Sequence, residues 1–256
     1  MESGNILLRD FTRGVTTRLV EGPGIAEPIM SPDGRRVAYS LTLPPRLGIG
    51  TRSAAGGAED IVFTSPQVTL VEDWSRDGRF LLGVQNASRG LIIPLDGDRT
   101  PVVFADLPAG SSLDEPRFSP DGKWLVYNAA DSGGRQEVYL VPVPPTGERW
   151  QLSVDGGAQG RWRADGRVIF YLSASGRLMQ VDLRTAGTGS PQISRAQPLF
   201  ETGLVLSSTI DQYAPGTDGT RFLLRRPVGN APASALHVIV NWPTMLNQSA
   251  PATKPN

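Results

Sequence analysis

The stretch Ser119-Pro-Asp-Gly-Lys-Trp-Leu-Val-Tyr127 recurs along the chain and decides the fold. An Asp-Gly pair between two apolar runs is typical of a β-hairpin, because glycine adopts the positive φ of a tight turn and aspartate bonds back to the local backbone. Such pairs occur five times: Asp33-Gly34, Asp77-Gly78, Asp121-Gly122, Asp165-Gly166 and Asp218-Gly219. Their spacings of 44, 44, 44 and 53 residues predict equivalent structural turns in a repeated unit.

Each repeated unit is expected to contain four strands. The residues after each turn are apolar on consecutive positions, as at Leu125 and Val126, which predicts a second strand covered on both faces. A third apolar run follows at 61–63, 91–93, 138–141, 178–181 and 237–240, and a fourth follows in four units at 68–70, 102–104, 150–152 and 198–200. Four strands in about 44 residues match the blade of a β-propeller.

The sequence thus predicts an all-β fold, a β-propeller of four-stranded antiparallel blades, as one domain over residues 1–246. A partial blade is expected at 5–20, followed by blades at about 27–70, 72–104, 115–152, 159–200 and 211–242, the last of which lacks its fourth strand, and a disordered tail at 247–256. The partial blade leaves two interpretations of closure. Either residues 17–20 complete the last blade of a five-bladed ring, or the chain is part of a six- or seven-bladed ring whose open edges self-associate. We favour the second, since the opening residues resemble the middle of a blade.

Composition excludes several classes of function. The 256 residues include no cysteine and one histidine, which excludes disulfides and the usual transition-metal ligand sets. Lys plus Arg and Asp plus Glu are 25 each, so the chain lacks the excess basic charge that nucleic-acid binding requires. It contains neither a signal peptide nor an apolar run that could span a membrane, so we expect a cytoplasmic chain, or a periplasmic or extracytoplasmic one if it belongs to a membrane-anchored sensor.

The Ser-Pro-Asp-Gly hairpin followed by Lys or Arg and an aromatic residue, at 31–39 and 119–127, resembles the WD40-like PD40 repeat of TolB-like bacterial propellers. The opening Asn5-Ile-Leu-Leu-Arg-Asp-Phe-Thr-Arg-Gly-Val-Thr-Thr-Arg-Leu19 and the close Val238-Ile-Val-Asn-Trp242 resemble the C-terminal propeller of bacterial serine/threonine protein kinases of the sensor type. The resemblance implies a propeller. It does not imply phosphorylation, because the kinase catalytic signatures are absent from the sequence.

Acidic residues recur just before the first strand of successive units, at Glu27, Glu72 with Asp73, Asp114 with Glu115, and Asp211, while the fourth unit has Gln159. First strands line the channel of a propeller, so these residues are expected to surround one mouth and to sum their fields there. The candidate binding residues are Glu27, Asp73, Glu115 and Asp211, for a basic peptide end or a divalent cation, with carboxylate pKa values raised by mutual repulsion. The alternative is that they are solvated loop ends.

No catalytic residue is predicted. The sequence lacks the Gly-x-Ser-x-Gly nucleophile motif, His237 lies in an apolar run without an orienting partner, and the Asp-Gly aspartates are interpreted as turn formers and not as calcium ligands. We therefore predict a non-catalytic sensor or binding propeller for a protein, peptide or small ligand, without an obligatory cofactor or metal. The alternative is the propeller segment of a hydrolase or peptidase, or an enzyme that uses mouth carboxylates.

Overall fold

The computed structural model describes residues 3–184, 190–207 and 210–226, and all regular secondary structure in these ranges is β-strand. Residues Met1–Arg225 form one compact unit, which contains every described strand. The strands are β1 (Ser3–Asp10), β2 (Val15–Pro23), β3 (Ile25–Met30), β4 (Arg36–Leu43), β5 (Arg46–Ser53), β6 (Glu59–Thr64), β7 (Thr69–Trp74), β8 (Phe80–Gln85), β9 (Arg89–Pro94), β10 (Val102–Asp106), β11 (Ser112–Phe118), β12 (Trp124–Ala130), β13 (Gln136–Pro142), β14 (Trp150–Gln151), β15 (Gly157–Trp162), β16 (Val168–Ser173), β17 (Arg177–Arg184), β18 (Gln192–Ile193), β19 (Gln197–Glu201), β20 (Tyr213–Pro215) and β21 (Phe222–Leu224).

These strands form four antiparallel sheets flanked by two strand pairs. Sheet I contains β3 to β6, sheet II contains β7 to β10, sheet III contains β11 to β14, and sheet IV contains β15 to β17 with β18 and β19 both paired to β17. The N-terminal pair is β1 with β2, and the C-terminal pair is β20 with β21. In each sheet the first two strands are joined by the Asp-Gly turn. The predicted all-β fold with four-stranded antiparallel sheets is confirmed.

In all five turns the aspartate accepts a hydrogen bond from the amide two residues further on, and in the first three it also accepts one from a serine hydroxyl. In sheet III, Asp121 Oδ1 accepts hydrogen bonds from the Ser119 hydroxyl at 2.6 Å and from the Lys123 amide at 3.1 Å. Gly122 has φ 70°, and the glycines of the other four turns have φ between 71° and 77°. Because side chains are strained in this left-handed region, glycine satisfies the backbone and aspartate bridges the turn, as the sequence predicts.

A separate apolar core fills each interface between neighbouring sheets. Leu125 and Tyr127 of β12 pack towards sheet II with Leu82 and Phe104, whereas Val126 of the same strand packs towards sheet IV. Equivalent clusters join sheet I to sheet II and each flanking pair to the sheet beside it. The prediction that the second strands are covered on both faces is confirmed for sheets I to IV and is wrong for β21, where Leu223 is 75% exposed. Each sheet depends on its neighbours for burial.

The strand assignment of the first unit is wrong in two places. The observed third strand is β5, which the sequence analysis did not predict. The run 61–63, predicted as the third strand, lies in the fourth strand β6. The run 68–70, predicted as the fourth strand, overlaps β7, the first strand of sheet II. The reason is the composition of β5, where glycine replaces apolar residues. A Cβ atom on Gly50 would lie 2.8 Å from Cε2 of the Tyr39 ring, so packing against β4 requires a residue without a side chain.

Ring closure stays a prediction. Within the described ranges, β1 and β2 pair only with each other, as do β20 and β21. The run 237–240, His237 and the tail 247–256 lie outside the described residues. No helix long and apolar enough to cross a membrane is found in the described part of the chain.

Candidate functional site

The first strands of the successive sheets lie side by side, so that β7 contacts β3 and β11, and β15 contacts β11 and β20. Hydrogen bonds also join them directly. The Phe118 amide of β11 donates to Asp73 of β7 at 2.8 Å, and the indole N–H of Trp162 in β15 donates to the Arg117 carbonyl at 3.3 Å. The acidic residues predicted to gather are therefore on adjacent strands.

A β-bulge interrupts the pairing of first and second strands in all four sheets, at the same two repeat positions in sheets I, III and IV and at Glu72 alone in sheet II. Glu27, Glu115 and Gln159, each six residues before a turn aspartate, lie in this bulge and have left-handed φ values of 47°, 50° and 60°. A non-glycine residue in this region costs of the order of 1–3 kcal/mol. A bulge re-aims the side chain of its extra residue, so the strand no longer follows simple alternation here.

Two arginines each bond to an acid of the preceding sheet. Arg117 Nη1 donates to the Glu72 carbonyl at 2.9 Å and lies 3.4 Å from Glu72 Oε2. Arg161 Nη2 lies 2.9 Å from Glu115 Oε2 and also pairs with Asp211. We call the row Glu72, Arg117, Glu115, Arg161 and Asp211 the inner ladder. Its charges alternate from acid to base across sheets II to IV.

The four predicted binding residues have different surroundings. Glu115 and Asp211 converge on Arg161, whereas the Asp73 carboxylate is engaged by the Phe118 amide. Glu27 is exposed, and among the described residues no hydrogen bond or ion pair is found for its carboxylate.

The neighbouring acid Asp114 accepts a hydrogen bond from Gln136 at 2.9 Å. It lines a separate polar cleft of about 690 Å³ together with Asp131 and Arg135.

Sequence reasoning missed the arginines. The available signal was that Arg117 and Arg161 both stand four residues before a turn aspartate, 44 residues apart.

Burial dominates the electrostatics of the inner ladder. Burial raises the pKa of Glu72 to about 7 against the opposing charge of Arg117, and the charges of Glu115 and Glu27 raise it further. Burial also raises the pKa values of Asp73 and Glu115. Burial alone would lower the pKa of Arg161, but the acidic groups around it, Glu115 first, outweigh this and raise it. Of the four predicted binding residues, Asp73 and Glu115 therefore have raised carboxylate pKa values, and the main cause is burial and not mutual repulsion.

The sequence analysis also offered a divalent cation as ligand of the acidic residues. In the described ranges no three His, Asp or Glu side chains are grouped so that they could hold a metal ion. The acids of the inner ladder are separated by arginines. This arrangement fits mixed-charge recognition better than coordination of a metal, which requires several converging oxygen ligands.

Comparison with known proteins supports the propeller architecture. No protein-family model and no curated protein matches the chain. A putative TolB from Agrobacterium tumefaciens is 16% identical with a TM-score of 0.52, and the match covers 73% of this chain and 71% of that chain. TolB from Acinetobacter baumannii is 18% identical with a TM-score of 0.53 over 87% of this chain, which spans only 59% of that protein.

A WD40-type neighbour gives the same result. The Myceliophteria thermophila Cps50 (Swd1) β-propeller domain is 10% identical with a TM-score of 0.56, and the match covers 78% of this chain and 67% of that chain. The narrower resemblance to kinase-associated propellers is not shown by these comparisons. The chain has the fold of the TolB-like and WD40-like β-propellers.

Proposed function

We propose that this chain is a non-catalytic binding module whose first strands bind a cationic group of a protein or peptide partner, such as a lysine or arginine side chain or an N-terminal amine. The observation that carries the proposal is an incomplete repeat of ion pairs along the first strands. Such a module could serve as the sensor part of a larger TolB-like or kinase-associated protein.

The repeat of ion pairs lacks its arginine at sheet II. Arg161 of sheet IV reaches back to Glu115 of sheet III. The residue of sheet II at the position of Arg161 is Asp73, and the residue of sheet I at the position of Glu115 is Glu27. Sheet II therefore has an acid at the position where sheet IV has its arginine, and the Asp73 carboxylate is bound by the Phe118 amide of sheet III. A cationic ligand at Glu27 would take the place that Arg161 occupies at Glu115.

Charge balance favours the same location. The first strands and Asp211 carry the acids Glu27, Glu72, Asp73, Asp114, Glu115 and Asp211 against the bases Arg117 and Arg161, and Asp114 lines the separate cleft. Both arginines are in sheets III and IV, so the acidic excess lies at sheets I and II. The charge of Glu27 raises the pKa of Glu72, and a bound cation would relieve this repulsion. Such a local field also steers a basic partner towards the site.

The test is a titration of isotope-labelled protein with N-acetylated penta-lysine, followed by NMR, with penta-glutamate as the control peptide. We expect penta-lysine to shift the signals of Glu27 and Glu72. Glu27→Gln should weaken binding about two- to fivefold, the value of one exposed ion pair. The matched variant is Glu148→Gln, which removes an exposed acid in the loop before β14. Equal weakening by both variants, or equal binding of penta-glutamate, would refute the proposal.

Two alternatives to a cationic peptide partner, a divalent cation and an enzymatic activity, have tests of their own. If calcium or magnesium raised the melting temperature of the wild type and not of Glu27→Gln, the ligand would be a divalent cation. The other alternative is an enzyme that uses Glu72, because burial raises the pKa of this carboxyl to about 7, which suits a general acid or base. Hydrolysis of p-nitrophenyl esters or glycosides by the wild type, abolished in Glu72→Gln, would support that alternative.

A further inference from the structure

Gln159 occupies the repeat position at which sheets I and III carry Glu27 and Glu115. Its side chain is fully buried, with 0% of the residue exposed. The amide Nε2 donates to the carbonyls of Ser207 at 2.9 Å and Ile210 at 2.8 Å, and Oε1 accepts from the Gln212 amide at 2.9 Å. Both donors and the acceptor of this amide therefore bond to the backbone of Ser207, Ile210 and Gln212.

A second layer of hydrogen bonds holds the same residues. Gln212 Oε1 accepts from the Ser207 amide at 2.8 Å, and Gln212 Nε2 donates to the Val205 carbonyl at 2.8 Å. The Tyr213 hydroxyl donates to the Gln159 carbonyl at 2.8 Å. Asp211 lies between Ile210 and Gln212, both of which bond directly to Gln159, so its place relative to β15 is set from both sides.

Arg161 lies two residues beyond Gln159 in β15 and receives Asp211 as its second carboxylate, beside Glu115. We propose that Gln159 is a positioning residue that fixes Asp211 on Arg161, so that both carboxylates at this end of the inner ladder are engaged by an arginine and cation binding is confined to the Glu27 end. The inference about ligand position rests on the proposed function. The inference about Asp211 does not.

The chemistry of the amide explains why glutamine and not glutamate stands in sheet IV. A carboxylate has no N–H to give to the carbonyls of Ser207 and Ile210, and facing two carbonyl oxygens would leave a buried charge unpaired. Glutamine is isosteric and donates both hydrogen bonds. Sheets I and III carry glutamate at this repeat position. Because sheet IV carries glutamine instead, β15 can hold the residues on both sides of Asp211.

The first measurement needs no ligand. The charge of Asp211 raises the pKa of Glu115, so release of Asp211 lowers that pKa, and carboxyl-carbon NMR follows it. Asp211→Asn calibrates the decrease by removing the charge directly. Gln159→Met removes the hydrogen bonds without adding charge, and we expect it to reproduce the same decrease. Gln67→Met, on an exposed residue between sheets I and II, is the matched control. A Glu115 pKa that stays at the wild-type value in Gln159→Met would overturn the proposal.

If Gln159→Met does not fold, Gln159→Asn tests the same linkage, because its amide is one methylene shorter and no longer reaches the carbonyls of Ser207 and Ile210. We expect the Glu115 pKa to fall in this variant as well, and an unchanged value would again overturn the proposal.

The second measurement is the penta-lysine titration. In the wild type, shifts should stay on β3 and β7, and in Gln159→Met they should extend to Asp211. Wild-type shifts centred on Glu115 and Asp211 would refute the confinement. Absence of wild-type binding would refute the proposed function alone, since the Glu115 pKa still decides the role of Gln159.

Discussion

Glu72→Gln is expected to flatten the pH dependence of folding stability between about pH 4.5 and 7. Burial raises the pKa of Glu72 from 4.5 to about 7 in the folded protein. Over this window the folded state binds a proton that the unfolded state has lost, so the stabilising contribution is complete below pH 4.5 and disappears as the pH rises through 7. A difference of about 2.5 pKa units corresponds to about 3 kcal/mol, and the side chain is 20% exposed, so solvent screening removes little of it.

The assay is urea unfolding at intervals between pH 4.5 and 8, with tryptophan fluorescence as the signal. The wild type should lose about 3 kcal/mol more stability across this range than Glu72→Gln, whose amide stays neutral. The comparison of the two proteins is essential, because burial also raises the pKa values of Asp73 and Glu115, which give slopes of the same sign. Glu148→Gln should follow the wild type.

Parallel curves for the wild type and Glu72→Gln would refute the assignment of a buried, proton-binding carboxyl. A wild-type stability that rises with pH relative to the variant would show that Arg117 outweighs burial. In that case Glu72 would be a charged partner of Arg117 at every pH of the range, and its contribution would be lost as the pH falls.

Two further predictions concern glycines and use the same unfolding assay. Gly122→Val should destabilise the protein by about 1–3 kcal/mol because valine is strained at φ 70°, whereas Asp121→Asn should have little effect because its amide oxygen still accepts the turn hydrogen bonds; the reverse order would contradict the turn assignment. Gly90→Ala should cost roughly 1–3 kcal/mol for a different reason, since the new Cβ atom would overlap the buried Phe104 ring. Retention of stability in Gly90→Ala would show that this ring can move.

The turns and the sheet interfaces could be predicted because both depend on local sequence. Each Asp-Gly pair specifies its own turn, and the consecutive apolar residues after it, such as Leu125 and Val126, specify burial on both faces. The third strand of sheet I escaped prediction because its burial is achieved by Gly50 beneath the Tyr39 ring, and glycine carries no hydrophobic signal. The apolar composition of a strand thus does not predict its burial where a large side chain of the neighbouring strand covers a glycine.

The partners of the acidic residues could not be predicted from their positions. Glu27, Asp73 and Glu115 were grouped because they precede successive first strands, yet Asp73 accepts a backbone hydrogen bond and Glu115 pairs with Arg161. The bulge changes the direction of side chains within two residues, so that a period of 44 residues fixes the place of a residue but not what it faces. Directions of this kind depend on the neighbouring sheet, which lies far away in sequence.

The differences between the repeats, and not their common pattern, then carry the function. Arg117 and Arg161 occupy one position of the repeat, and Asp73 occupies it in sheet II. Because each arginine neutralises an acid of the preceding sheet, one substitution of arginine by aspartate removes a base and adds an acid at the same place, and Glu27 is left without an internal counter-charge among the described residues. Gln159 departs from the pattern in the opposite sense, since its neutral amide brings Asp211 onto Arg161. The two departures place the surplus negative charge at sheets I and II, where the proposed cationic group binds.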